Sequence, residues 1–279
     1  MMLPNRVALG TMHGKEAVIA LPLHKLGIAL EMPVNFDTDR FGTFSGEIAR
    51  TGSMRDAARA KALAATNATG LRYGIASEGS YGPHRQMPFI VAGIEILLWK
   101  DTDSGVEIVE QLVDEHPVFH HAKAKNIDDA KEFLERVDFP NTGLIVAPLS
   151  HRTLPLGKGI RDKALLESLV VDAAHQSNCG MALVQTDMRA HMNPRRMKMI
   201  GRLAKRIAFR SATSCKVCGA PGWGMLYTEQ GLPCKWCGER TLLLKHEIHG
   251  CSACGETAEV PRRDGLTHAD PSHCPSCNP

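Results

Sequence analysis

The residues with the most legible chemistry are eight cysteines in the last quarter of the chain, set out as four Cys-x-x-Cys pairs: Cys215/Cys218, Cys234/Cys237, Cys251/Cys254 and Cys274/Cys277. Two intervening residues let one tight turn aim both thiolates at a single ion. A Gly after the second cysteine, present in three of the pairs, lets the backbone fold beneath it. Fifteen residues lie between the first and second pairs and nineteen between the third and fourth, both inside the roughly 15–20 expected of a four-cysteine zinc site. The spacing predicts two Zn²⁺ ions in closed, structural sites of four cysteines each. Sequential pairing, first with second and third with fourth, is the simplest connectivity. Thirteen residues also separate Cys237 from Cys251, so an interleaved, cross-braced pairing stays open. With eight thiolates available, His246, His249, His268 and His273 are not needed as ligands. The ninth cysteine, Cys179, reads as a small packed residue.

Four upstream segments could also do chemistry. Gly10-Thr11-Met12-His13-Gly14-Lys15 is a small polar turn that can offer backbone N–H groups and the Lys15 ammonium to a phosphate, although it is not a Walker motif. The 37–47 segment crowds Asp37, Asp39 and Glu47 with hydroxyl residues, a set that can hold Mg²⁺ or simply cap a surface turn. Ser77-Glu78-Gly79-Ser80-Tyr81-Gly82 puts Glu78 at the carboxyl end of an apolar run, ahead of a Gly-rich loop, where open α/β sheets bind ligands. Thr186-Asp187-Met188-Arg189-Ala190-His191 leads into Asn193-Pro194-Arg195-Arg196, so that His191, Arg195 and Arg196 stand at a helix N-terminus suited to an anion or a nucleobase edge.

The elements that must position these residues alternate between strand and helix. Val7-Ala8-Leu9 predicts a strand, and a helix follows from Lys15 until Pro22. Ser53 with Asp56 three residues later forms a capping signal for a helix over 54–65, which carries Arg59 and Lys61. Strands are predicted at 73–76, 89–99 (bulged at Gly93), 144–146 and 181–184, with helices at 128–136, 161–176 and 194–210. This order predicts an α/β domain over 1–210 with a mixed sheet flanked by helices, followed by a small pair of zinc ribbons over 211–279. The ribbon segment is too short for a large core, so zinc must supply folding free energy there.

Composition narrows the function classes. The chain has 279 residues, 43% of them hydrophobic, which excludes disorder, and its net charge of +3 excludes a general polyanion binder. The basic charge is local: no acid occurs between Asp187 and Glu229, a stretch rich in Arg and Lys that can attract phosphate or nucleic acid. Trp223, Tyr227 and Trp236 lie in the cysteine-rich segment and can pack its hairpins or stack on bases. No run of about 18 apolar residues is present, so no membrane span is expected. The paired cysteines, with no secretory signal visible at the start of the sequence, predict a cytoplasmic location.

Two resemblances follow from these motifs. Asp37-Thr38-Asp39-x-Phe41-Gly42-Thr43-Phe44, Ser77-Glu78-Gly79-Ser80 and Thr186-Asp187-Met188-Arg189-Ala190-His191, with the cysteine-rich end, resemble an uncharacterised bacterial family of unknown function. Residues 6–80 resemble the opening of the inosine/xanthosine triphosphate pyrophosphatases, in the first turn with Lys15, in the Ala57-Ala58-Arg59-Ala60-Lys61-Ala62 helix and in Ile75-Ala76-Ser77-Glu78-Gly79. Met12 or His13 stands where those enzymes carry Asn. The resemblance implies an inosine triphosphatase-like fold and a Mg²⁺-dependent release of pyrophosphate from nucleoside triphosphates. Lys15 and Glu78 would be catalytic. Thr11, Arg59, Lys61, His191, Arg195 and Arg196 would bind phosphate or nucleotide, and Asp37, Asp39 or Glu47 would help hold Mg²⁺. The competing reading is an adaptor for nucleic acid or protein, its surface formed by the basic helix and the zinc ribbons, with a non-catalytic α/β domain.

Overall fold

The computed structural model describes residues 3–42, 50–83, 88–150 and 154–278, with Asp39 described in its backbone alone. Its first half is built on β1 (Arg6–Leu9), α1 (Glu16–His24), β2 (Ala29–Glu31), α2 (Met54–Thr69), β3 (Tyr73–Pro83), β4 (Val91–Asp101) and β5 (Glu107–Asp114). The five strands form one mixed sheet in the order β2-β1-β3-β4-β5, parallel across β2-β1-β3 and antiparallel thereafter.

The path of the chain creates a crevice. From β1 it passes through α1 to β2 on one side, then through α2 to β3 on the other. The carboxyl end of β1 is therefore a switch point, the place where open sheets receive ligands. β1 pairs with β3 only through Ala8↔Gly74 and Leu9↔Ile75, yet β3 runs on to Pro83. Beyond Ile75, β3 is flanked by β4 on one side, and the Gly10–Lys15 turn begins where β1 stops.

Burial fixes which face each element covers. Ile75, Leu97, Trp99 and Ile108 pack with Ile19 and Leu23 of α1 and with Ile200, Leu203 and Ile207 of α5 (Pro194–Ala212). The alternate positions Ala76, Ile96 and Leu98 pack on Ala58 and Ala62 of α2. The result is a helix–sheet–helix sandwich with α1 and α5 on one face and α2 on the other. The sequence signals at α2 and α5 act as predicted. Ser53 and Asp56 form a capping box, the Asn193 side chain accepts from the Arg196 backbone N–H at 3.1 Å, and Pro194 sits at the start of α5.

A second sheet, β6-β9-β7-β8, lies between β5 and α5 in sequence. It comprises β6 (His121–Ala124), β7 (Leu144–Pro148), β8 (Gly157–Ile160) and β9 (Ala182–Thr186), covered by α3 (Lys131–Arg136) and α4 (Lys163–Gln176) around Phe133, Val146, Leu166 and Val184. The single mixed sheet expected for residues 1–210 is thus two sheets with separate cores. Three local expectations also change. Pro22 lies inside α1 rather than ending it. Gly93 carries no bulge; it sits beneath the Tyr81 ring, where a side chain would clash. The Gly-rich segment after Glu78 is strand, not loop.

The cysteine-rich segment forms a third sheet, β10-β11-β12, from β10 (Gly224–Gln230), β11 (Leu244–Gly250) and β12 (Thr257–Pro261). It is tied to the first sheet by Arg210 at the end of α5. This buried guanidinium donates to the Glu110 carboxylate at 3.0 Å, the Val109 carbonyl at 3.1 Å and the Gly222 carbonyl at 2.9 Å. Lysine has one compact donor group and cannot span three acceptors. Arg210→Lys is expected to lower stability by about 2 kcal/mol in denaturant titrations and to speed proteolytic cutting near residues 211–222.

Candidate functional site

The carboxyl end of β1 gathers an unusual set of buried ionisable groups. On the α2 face, Lys61 reaches Glu78 of β3 with Nζ 2.5 Å from the carboxylate, and Arg50 reaches the other oxygen at 2.8 Å. On the α5 face, Arg196 bonds Glu95 of β4, which also accepts from the Tyr81 hydroxyl at 2.8 Å. Arg196 donates further to the Met188 carbonyl. Glu78, Glu95, Lys61 and Arg196 are all buried. Gly79 lies between the two pairs, and a Cβ there would stand 2.6 Å from Glu95 and 2.7 Å from Arg196, so the closeness of sheet and guanidinium requires Gly. Gly10 has the same role at the end of β1, where any side chain would strike the Lys61 backbone.

Lys15 stands between the two pairs. It is only 7% exposed, and among the described residues its ammonium has no hydrogen-bond or ion-pair partner. Burial, then the Arg196 guanidinium and more weakly Lys61, push its pKa down to about 7, against opposing pulls from Glu95 and Glu78. Several neighbouring polar atoms are likewise buried without a hydrogen bond among the described residues: Ser77 Oγ, Glu95 Oε2, Arg50 Nε and His191 Nδ1. Such atoms are uncommon in a settled core and concentrate where a ligand or water completes the bonding.

The turn that delivers Lys15 is itself shaped for close approach. His13 has φ +68° and Gly14 φ +70°. The His13 ring stacks on His191 with centroids 5.2 Å apart. Burial and then Arg189 lower the His191 pKa, so two charged imidazoles are not forced together near neutral pH. Asp187 is held beside His191 by a forked contact with Arg189 (2.6–3.1 Å).

The structure therefore brings Lys15, Lys61, Glu78, Arg196 and His191 to one end of the first sheet, with Thr11 buried in the same turn. Two predicted phosphate ligands do not join them. Arg59, two residues before Lys61 on α2, projects the other way and is taken up by Glu107 of β5 at 2.5 Å. Arg195 is committed to Asp114 at 2.6 Å. The expected Mg²⁺ cluster does not form among the described residues: Glu78 commits its oxygens to Lys61 and Arg50, Asp37 is exposed, and the only groups of three or more clustered ligand side chains are cysteines. Glu47 lies outside the described residues, as does the Asp39 side chain. Glu95, Tyr81 and Arg50 are site residues that the sequence reading missed. For Glu95 a signal existed, a lone carboxylate inside an otherwise apolar strand.

The cysteines form two compact clusters, Cys215/Cys218/Cys251/Cys254 and Cys234/Cys237/Cys274/Cys277, with each set of sulfurs within 4.8 Å of one another. This overturns sequential pairing: the first pair joins the third and the second joins the fourth. The antiparallel meander explains why. Each gap between pairs holds one strand, so successive pairs arrive at opposite ends of the sheet. Sulfur separations across the clusters are 3.6–3.9 Å. A tetrahedron with Zn–S of about 2.3 Å has edges of about 3.8 Å, so the clusters fit zinc without adjustment. Backbone N–H groups of Cys218 and Cys237 hold the Cys215 and Cys234 thiols down to about 7, favouring thiolate. No histidine enters either cluster; His246 instead meets Glu229 at 2.9 Å.

The zinc-type sheet does not cover the Lys15 site. It docks on Ile108 and Arg210, and fourteen helical steps of α5 separate Arg196 from Arg210, about 21 Å at helical rise. Among the described residues no helix is long and apolar enough to cross a membrane.

Fold and site together define a mixed α/β protein with a paired-cluster cysteine module. Its sequence matches the model of a domain of unknown function, DUF6671, over residues 61–279, and the chain belongs to that family. Searches of curated proteins and of solved structures find no match. The family match begins at Lys61, so Lys15 and most of the segment resembling the inosine/xanthosine triphosphate pyrophosphatases lie outside it, and the comparisons lend that resemblance no support.

Proposed function

We propose that the first half of the chain binds a small phosphate-bearing ligand at Lys15, and that the cysteine clusters hold two structural Zn²⁺ ions. One observation carries the ligand reading: four cations, Lys15, Lys61, Arg50 and Arg196, surround only two carboxylates, Glu78 and Glu95, in a buried place with unsatisfied polar atoms. A dianion at Lys15 would offset the surplus charge and accept the idle donors. Its position at the switch point of the sheet agrees.

The test is thermal unfolding with inorganic phosphate, pyrophosphate and a panel of nucleotides. A ligand at about 100 times its Kd adds about 2.7 kcal/mol. At least one anion is expected to raise Tm in the wild type and to lose that effect in Lys15→Gln. No shift with any of them in the wild type would sink the reading. The catalytic version, Mg²⁺-dependent pyrophosphate release, is less supported because Glu78 is already engaged by two cations.

The nucleic-acid adaptor reading fares worse on charge. Residues 211–279 carry six Lys and Arg against seven Asp and Glu, and each four-thiolate zinc centre would add two further negative charges. Arg196 and Arg210 of the basic helix are buried and neutralised by Glu95 and Glu110, and Arg195 by Asp114. Lys198, Arg202, Lys205 and Arg206 remain exposed, the last 3.9 Å from Glu110, a short row for strong phosphate-backbone binding.

A further inference from the structure

We infer that Lys15 is a nucleophilic amine, able to form an imine with the carbonyl group of a small anionic aldehyde or ketone. The inference goes beyond phosphate binding and needs the anion site only for the charged end of such a compound.

The argument starts from what surrounds the nitrogen. A lysine that only grips phosphate is best left charged and solvated, and a structural lysine is given a carboxylate. Lys15 has neither arrangement. The nearby carboxylates already have partners: Glu78 takes Lys61 and Arg50, and Glu95 takes Arg196 and the Tyr81 hydroxyl on Oε1, its Oε2 having no hydrogen bond among the described residues. The charged groups facing Lys15, from α2 and the segment before it, β3, β4 and α5, are thus three cations on two carboxylates, and the positive members hold off a proton. Burial beside other cations is one of the two settings in which proteins make an amine nucleophilic near neutral pH. At pH 7 about half of an amine with a pKa near 7 is uncharged, against roughly one part in 2,500 for an ordinary lysine. The turn that carries Lys15 is anchored by Gly10 against α2 and by His13 against His191, so the amine is placed and not free to sweep.

The chemistry balances without an added oxidant or reductant. The nitrogen lone pair attacks the carbonyl carbon, and the carbon–oxygen π pair moves to oxygen. The proton lost from nitrogen compensates the one gained by oxygen, giving a carbinolamine. The nitrogen lone pair then expels the hydroxyl, protonated, as water. One C=N bond replaces one C=O bond and one water is released.

The experiment uses pyridoxal 5′-phosphate, which carries both an aldehyde and a phosphate. The full-length wild-type protein is incubated with it at pH 7, reduced with borohydride, digested and mapped by mass spectrometry. The expected result is an adduct at Lys15 at least about tenfold more abundant than at any exposed lysine, such as Lys25 or Lys198. An adduct spread over surface lysines, or none at Lys15, overturns the proposal, and the wild-type map alone decides this without relying on a variant that must fold. The two readings fail separately. If phosphate raises Tm but Lys15 is not labelled, the anion site stands and the nucleophile falls. If pyridoxal without phosphate labels Lys15 as fast as the phosphate form, the nucleophile stands and the phosphate subsite falls.

Discussion

Replacing Cys215 and Cys251 together is expected to leave one zinc per chain, whereas replacing Cys215 and Cys234 together leaves none. Both double variants remove two thiolates, so a count of cysteines does not separate them. Only the interleaved connectivity does, because Cys215 and Cys251 share a cluster while Cys215 and Cys234 belong to different ones. Sequential pairing would give the reverse result. The measurement is zinc per polypeptide by elemental analysis after gel filtration, with serine as the replacement. The energetic effect is the largest in the molecule. A structural zinc site contributes about 10–16 kcal/mol of apparent binding free energy at neutral pH. The third sheet has little core of its own, with Leu232, Ile248 and Ala269 its main buried apolar residues besides cysteine. Stripping zinc with a strong chelator should therefore unfold residues 211–279. The first two sheets, which have separate cores, should keep their secondary structure and their cooperative unfolding.

What could be read from the sequence follows a physical division. Local signals were reliable: the Cys-x-x-Cys knuckles, the Ser53–Asp56 capping box and the Asn193-Pro194 start of α5 are all satisfied by residues within three positions of each other. The pairing of clusters was open because the gaps between cysteine pairs fit either connectivity. The alternation of strand ends in a meander contained the answer, since three gaps with one strand each cannot return to the same end. The basic helix misled for a different reason. Its arginines look like a solvated face until their partners are known, and Glu95, Glu110 and Asp114 lie 81 to 101 residues away in sequence. Nothing local marks Arg196 as buried. Glu78 is legible because it stands at the carboxyl end of an apolar run, ahead of a Gly-rich segment, where open sheets bind ligands. Its pairing with Lys61 is not legible, because Lys61, two residues beyond Arg59, is one of several cations on a helix whose facing side only the sheet decides. The division of 1–210 into two sheets is not legible because β5, β6 and β8 carry mixed polar and apolar residues and no apolar run marks them as strands.

Lys15→Met is expected to make the protein more stable at pH 6 while abolishing its response to phosphate. A residue retained for packing alone would show destabilisation. The sign follows from linkage. The slope of unfolding free energy with pH is 2.303RT multiplied by the protons bound in the unfolded state minus those bound in the folded state. The folded pKa of Lys15 is about 7 and its ordinary value is 10.5. Between these limits the unfolded lysine holds a proton that the folded one has released, so wild-type stability rises with pH there. The burial penalty is thus complete below pH 7 and disappears as pH approaches the unfolded value. A shift of this size corresponds to about 5 kcal/mol as an upper bound, and relaxation of the charged neighbours will reduce it. Methionine fills similar volume without a charge to desolvate. The variant should then exceed the wild type by a few kcal/mol in urea titrations at pH 6, and the gap should narrow by about 2–3 kcal/mol at pH 9. If the variant is less stable at pH 6, or the gap does not change with pH, Lys15 is not a desolvated ammonium and the charge-surplus argument for the ligand site loses its main support. If the gap behaves as expected and phosphate no longer raises Tm, the stability given up at this position is tied to ligand binding. That is the trade expected of a site residue, which is selected for what it binds and not for the stability of the free fold.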